Sequence, residues 1–181
     1  MLDYYFNSKY KDDKDIFSGL KISHCHQCDV HKNAYPVIRM DFGNLNSTSA
    51  DDFNTSLRSV VSSAAAQCDD VLRGEGLSEP ERNIIDRSMK EGTDMVYIKL
   101  AIQNMCEIIY RHIGKKVIIL VDEYDHCIQD IHSQSQFDEI VKELKPFMEQ
   151  SFKFNTNVHF AVVTGIMPLA KTSMLSSFNN A

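Results

Sequence analysis

Residues 117–125 read Val117-Ile118-Ile119-Leu120-Val121-Asp122-Glu123-Tyr124-Asp125. Five apolar residues, four of them β-branched, run straight into a cluster of carboxylates. A short uninterrupted apolar run predicts a strand buried on both faces, as in a parallel sheet. In open α/β sheets, ligands bind outside the carboxyl ends of the strands. A strand ending in Asp122-Glu123 is therefore placed to hold a hydrated Mg²⁺ and to orient a water against a nucleotide phosphate. Asp125 is read either as a cap for the following segment or as a member of the outer metal shell.

Two further strands flank this one in sequence. Tyr35-Pro36 leads into Val37-Ile38-Arg39-Met40-Asp41-Phe42, with Pro36 suited to a strand's first position and Gly43-Asn44 ending it. Residues 158–163 form the third, closed by Thr164-Gly165. Helical periodicity covers the rest. Residues 2–8 are amphipathic, and 10–34 are polar and irregular. Phe53, Leu57, Val60, Val61 and Ala64 predict a helix over 50–72, capped by Ser49 or Asp51. Residues 73–92 read as an exposed connector with a short helix after Ser78, Pro80 lying in its first turn. Residues 94–113 form one helix, capped by Thr93 and stopped by Gly114. Residues 136–153 form another, kinked at Pro146. Strands alternating with helices predict an α/β fold with a parallel sheet.

Bulk properties narrow the class. A chain of 181 residues is long enough for one domain with a substantial core. A formal charge of -6 argues against a direct nucleic-acid footprint or an anionic membrane surface. No apolar run approaches a membrane span, and the opening residues lack the pattern of a secretory leader. The five cysteines, an odd number, then read as reduced thiols in an intracellular, cytoplasmic setting.

Several segments together resemble the AAA-ATPase-like domain, a branch of the P-loop NTPases often fused to a restriction-nuclease-like domain. They are 16–22, 35–42, 117–125, 163–166 and the tail from Ala170 through Asn180. The resemblance implies ATP binding and hydrolysis on a three-layer αβα scaffold, with 117–125 as the Walker B segment. Asp122 would hold Mg²⁺ through water and Glu123 would activate the attacking water. Thr164 would sense the γ-phosphate, and Asn180 would face the nucleotide. Plain alternatives stand beside these roles: Thr164 bonding local backbone, and Asn179-Asn180 making a turn. The family's Gly-Lys-Ser/Thr loop has no counterpart here. Gly114-Lys115-Lys116 precedes a strand instead of following one and lacks the hydroxyl residue. Pro168 stands where the family tends to carry an Arg. The resemblance thus implies one incomplete domain over 1–181, missing the P-loop strand and inactive alone. Its sheet order, 5-1-4-3-2, would leave strands 2, 3 and 4, with an apolar edge at 158–163 open to self-association or a protein partner. The alternative function is a non-catalytic interaction module on a degenerate NTPase scaffold.

Three other features carry chemistry. His24, Cys25, His26, Cys28 and His31 crowd together, but no second ligand pair at zinc-finger spacing follows, so zinc is not expected. Arg39 lies on a strand, where either a phosphate or a neighbouring carboxylate is its partner, and is left unassigned. Glu143-Leu144-Lys145 has nuclease-like spacing, but on a predicted helix instead of a strand.

Overall fold

The three β-branched runs become β1 (Val37–Asp41), β2 (Val117–Asp122) and β3 (Val158–Val163), which form one sheet in the order β1-β2-β3. Both pairings are parallel. The fold is α/β, and the computed structural model describes residues 1–129 and 131–166 of the chain. Asp41 sits opposite Asp122, while Val121 sits opposite Val163, so the three strands end level. Between the first two β2–β3 pairs the register slips, leaving His159 without a β2 partner.

Among the described residues eight α-helices accompany the sheet: α1 (Leu2–Phe6), α2 (Ala50–Ala66), α3 (Asp69–Leu72), α4 (Glu79–Met89), α5 (Met95–Lys99), α6 (Ala101–Ile113), α7 (His126–Gln129) and α8 (Gln134–Met148). Strand alternation sends Ile38, Met40, Val117, Ile119, Val121 and Ala161 into the main core. There they meet Phe53 and Leu57 of α2, Ile85 of α4, Ile102, Met105 and Ile109 of α6, and Leu144 and Phe147 of α8. The opposite face is thinner. Val37, Ile118 and Leu120 are covered by Phe6, Tyr35, Phe160 and Val162.

Ser49 caps α2 by accepting from Asp52 N–H, at 3.1 Å. Three expectations need correction. The helix over 50–72 breaks at Gln67-Cys68 into α2 and α3. Gln67 leaves the helix path to serve β1: its side chain accepts from Arg39 N–H at 3.0 Å and donates to Arg39 C=O at 2.8 Å. The carboxamide thereby stands in for a neighbouring strand at the β1 edge. The helix over 94–113 likewise divides at Leu100, and Asp94, not Thr93, caps its start. The region 73–92 is more than an exposed connector, because Leu77 and Ile85 bury α4 against the core. The helix begins as expected after Ser78, with Pro80 in its first turn. Past Pro146, α8 gives way to a π-helical turn over Glu149–Lys153.

The segment 8–34 forms short 3₁₀ turns instead of strand or α-helix. Asn7 pairs with Tyr35 at its base, and Asn33 N–H donates to Tyr5 C=O at 2.7 Å. Within it Cys25 and Cys28 are joined as a disulfide, which corrects the expectation of five reduced thiols. Their spacing in a tight turn brings the two sulfurs together, a local effect that does not depend on compartment.

Candidate functional site

The carboxyl edge of the sheet carries a set of polar side chains on one face. Alternation along β1 puts Arg39 and Asp41 on the thinly covered face, and the register aligns Asp41 with Asp122. Just beyond β3, Thr164 Oγ1 donates to Asp122 Oδ1. Its backbone N–H also donates to Val121 C=O at 2.9 Å, and Tyr124 N–H donates to Thr164 C=O at 3.0 Å. These bonds lock the ends of β2 and β3 together. Asp122 and Thr164 remain exposed. They line a cleft of about 280 Å³ whose walls include Arg39, Leu120, Val162 and Leu2.

Glu123 turns the chain away from β2 with φ +53°, in the left-handed region that non-glycine residues seldom occupy. Its carboxylate swings over Gly43, at the end of β1. A Cβ on Gly43 would lie 2.5 Å from Glu123 Oε2 and 3.1 Å from Asp41 Oδ1. Gly43 therefore leaves room for two carboxylates, one of which, Asp41, accepts from Gly43 N–H at 2.9 Å. His126 Nδ1 stands 3.7 Å from Glu123 Oε2, and both side chains are about half exposed.

Tyr124 and Asp125 point the other way. Both are buried, and burial, with Asp125 beside it, raises the Tyr124 hydroxyl above its ordinary range. Asp125 Oδ2 accepts from Ile166 N–H at 3.0 Å. Asp125 thus ties the segment after β3 to the β2 loop. Gly165 permits that approach, since a Cβ there would fall 2.5 Å from the Tyr124 ring.

Among the sequence candidates, the structure brings Asp122, Glu123 and Thr164 to one edge. Asn180 and Pro168 lie outside the described residues. Glu143 lies on α8 and pairs with Lys99 at 2.9 Å, an ordinary interhelical ion pair. Sequence reasoning missed Asp41, Gly43 and His126. The period-two alternation of β1 and the three-residue spacing from Glu123 to His126 were the available signals.

The donor set fits a hard cation held mainly by water and phosphate. It offers an exposed carboxylate with a hydroxyl beside it and two more carboxylates nearby. Mg²⁺ in nucleotide sites takes only one or two protein carboxylates. Among the described residues no three His, Cys, Asp or Glu side chains form a metal cage, and none is needed for that mode. No helix among them is long and apolar enough to cross a membrane.

Comparison with curated proteins and with solved structures returned no match. A family model described as a predicted AAA-ATPase matches residues 1–175, taking in all three strands and the whole carboxyl edge. With nearly its full length matched, the chain belongs to the predicted AAA-ATPase family.

Proposed function

We propose that the carboxyl edge of β2 and β3 is the metal and water-activating side of an ATPase site. The observation that carries this reading is the Asp122–Thr164 hydrogen bond, which makes one polar unit of two parallel strand ends. Asp122 would hold Mg²⁺ through water, and the bound ion would supply neutralisation of phosphate charge. Glu123 accepts a proton from the attacking water, with His126 positioned at its outer side. Thr164 keeps Asp122 in place through its hydroxyl and registers the γ-phosphate by turning that one hydrogen from Asp122 to a phosphate oxygen. The partner is a nucleotide, and the reading sets the protein inside the cell, where ATP and Mg²⁺ are abundant. One main core joins helices α2 to α8 with the sheet, so we read a single domain. Among the described residues no strand pairs with the outer edge of β3, the side at which a second copy or another protein would join.

The test uses this chain joined to a Gly-Lys-Ser/Thr phosphate loop. Glu123→Gln is expected to lower kcat by about 10²–10⁴-fold with nucleotide binding nearly intact. Asp122→Ala is expected to weaken Mg²⁺-ATP binding. Near-normal turnover by Glu123→Gln would refute the assignment of the base.

A second reading is a non-catalytic interaction module on the same scaffold, which a full-length sequence without a Gly-Lys-Ser/Thr segment would favour. Backbone N–H groups and a Lys normally cradle the phosphates. The 181-residue chain by itself is therefore expected to show no ATP turnover. Mg²⁺-dependent hydrolysis abolished by Glu123→Gln would show that a cradle forms by other means.

A further inference from the structure

The five cysteines fall into two physical classes. Cys68, Cys106 and Cys127 are buried, and burial pushes each thiol up to about 12. Cys25 and Cys28 lie near the surface, partly accessible and bonded to each other. Their bridge spans a sequence separation of 3. A cross-link over so short a loop removes the least entropy from the unfolded chain. It is a weak staple for the segment 8–34, whose ends are held instead at Asn7, Asn33 and Tyr35.

The turn does not depend on the bridge. Cys28 N–H donates to Cys25 C=O at 2.8 Å, the closing bond of a β-turn. The Tyr5 hydroxyl donates to Cys28 C=O at 2.9 Å. Both bonds can survive cleavage of the sulfur–sulfur bond, holding the Cα atoms near their separation of 5.3 Å. That separation is in the range from which a disulfide re-forms. Basic side chains surround the pair as well. Residues 21–32 contain Lys21, His24, His26, His31 and Lys32; Asp29 lies 3.7 Å from His26, and Asp15 pairs with Lys32 at 2.6 Å. His24 and His26 are exposed beside Cys25. Basic neighbours and access are the conditions under which a thiolate forms and reacts.

We propose that Cys25 and Cys28 form a thiol–disulfide exchange site whose co-reactants are small-molecule thiols and their disulfides. An incoming thiolate attacks one sulfur of the bridge and forms a mixed disulfide. The Cys25–Cys28 bond breaks, and the departing sulfur keeps the electron pair and takes a proton from solvent. A second thiolate then attacks the external sulfur of the mixed disulfide. One small-molecule disulfide leaves, and the protein has gained two electrons and holds two thiols. Oxidation reverses each step.

The test equilibrates the folded 181-residue chain in glutathione buffers ranging from reducing to oxidising. Samples are alkylated in the folded state by a fast excess of reagent and read by peptide mass spectrometry. Cys25 and Cys28 are expected to gain or lose their labels together, with a two-electron dependence on the buffer. Cys68, Cys106 and Cys127 should stay unlabelled until the chain is unfolded. Cys25→Ser is expected to trap glutathione on Cys28. A pair that stays bridged in every buffer, stays open in every buffer, or labels only after a stoichiometric zinc ion is stripped would overturn the proposal.

Discussion

Two glycines at the site face opposite demands, and the difference is measurable. The atom nearest a new Cβ on Gly43 is the carboxylate end of an exposed, flexible Glu123. Gly43→Ala is expected to change stability by less than about 0.5 kcal/mol while displacing Glu123. Around Gly165 the obstacles are the buried Tyr124 ring and Asp125, which have no solvent to move into. Gly165→Ala is expected to cost about 1–3 kcal/mol, as overpacking does. Denaturant midpoints of the two variants provide the comparison, and equal losses would contradict the geometry. The placing of Asp122, Glu123 and Thr164 at the carboxyl edge of the sheet was legible in sequence, because a buried strand must expose its polar residues where it ends. Asp41 and Gly43 were not legible. Their importance depends on the β1–β2 register, which no local pattern specifies.

Among the elements, α4 is the most dependent on charge. Glu81 accepts from the Ser78 hydroxyl at 2.7 Å and from Ser78 N–H at 2.9 Å, closing a capping box. Arg111 of α6 donates to its other oxygen at 2.7 Å, and His112 Nε2 lies 3.4 Å away. The Ser78 hydroxyl, then the Ser78 N–H, and after burial's opposing effect Arg111, hold the Glu81 carboxyl down at about 2, against an ordinary 4.5. A depressed folded-state value means that its stabilisation is complete above about 4.5 and is lost as pH falls towards 2. Ser78→Ala is expected to cost about 1 kcal/mol at neutral pH and to flatten acid unfolding in that window. Urea titrations at pH 7 and pH 3 check both. At the β1 edge, Gln67→Ala removes both hydrogen bonds to Arg39, worth about 0.5–1.5 kcal/mol each, and a third to Ser63 C=O. It also bares Arg39 backbone groups, so light scattering should show more association with rising concentration. The strands were legible because β-branched runs were punctuated by Pro36, Gly43 and Gly165. The helix breaks at Gln67 and Leu100 were not, since helical propensity continues through both and tertiary contacts decide.

At the scale of the whole molecule, the parallel α/β architecture followed from alternation of periods along the chain. The uneven cover of the two sheet faces did not, because it depends on how much of α1 and the segment 8–34 reaches the sheet. The Gln67 contact has a consequence for assembly. A sheet whose β1 side is stopped by a side chain can be extended from one flank only. Two copies meeting at β3 would be related by a two-fold axis, and each outer flank would end in its own carboxamide. Growth would then terminate at a pair instead of propagating as a fibre.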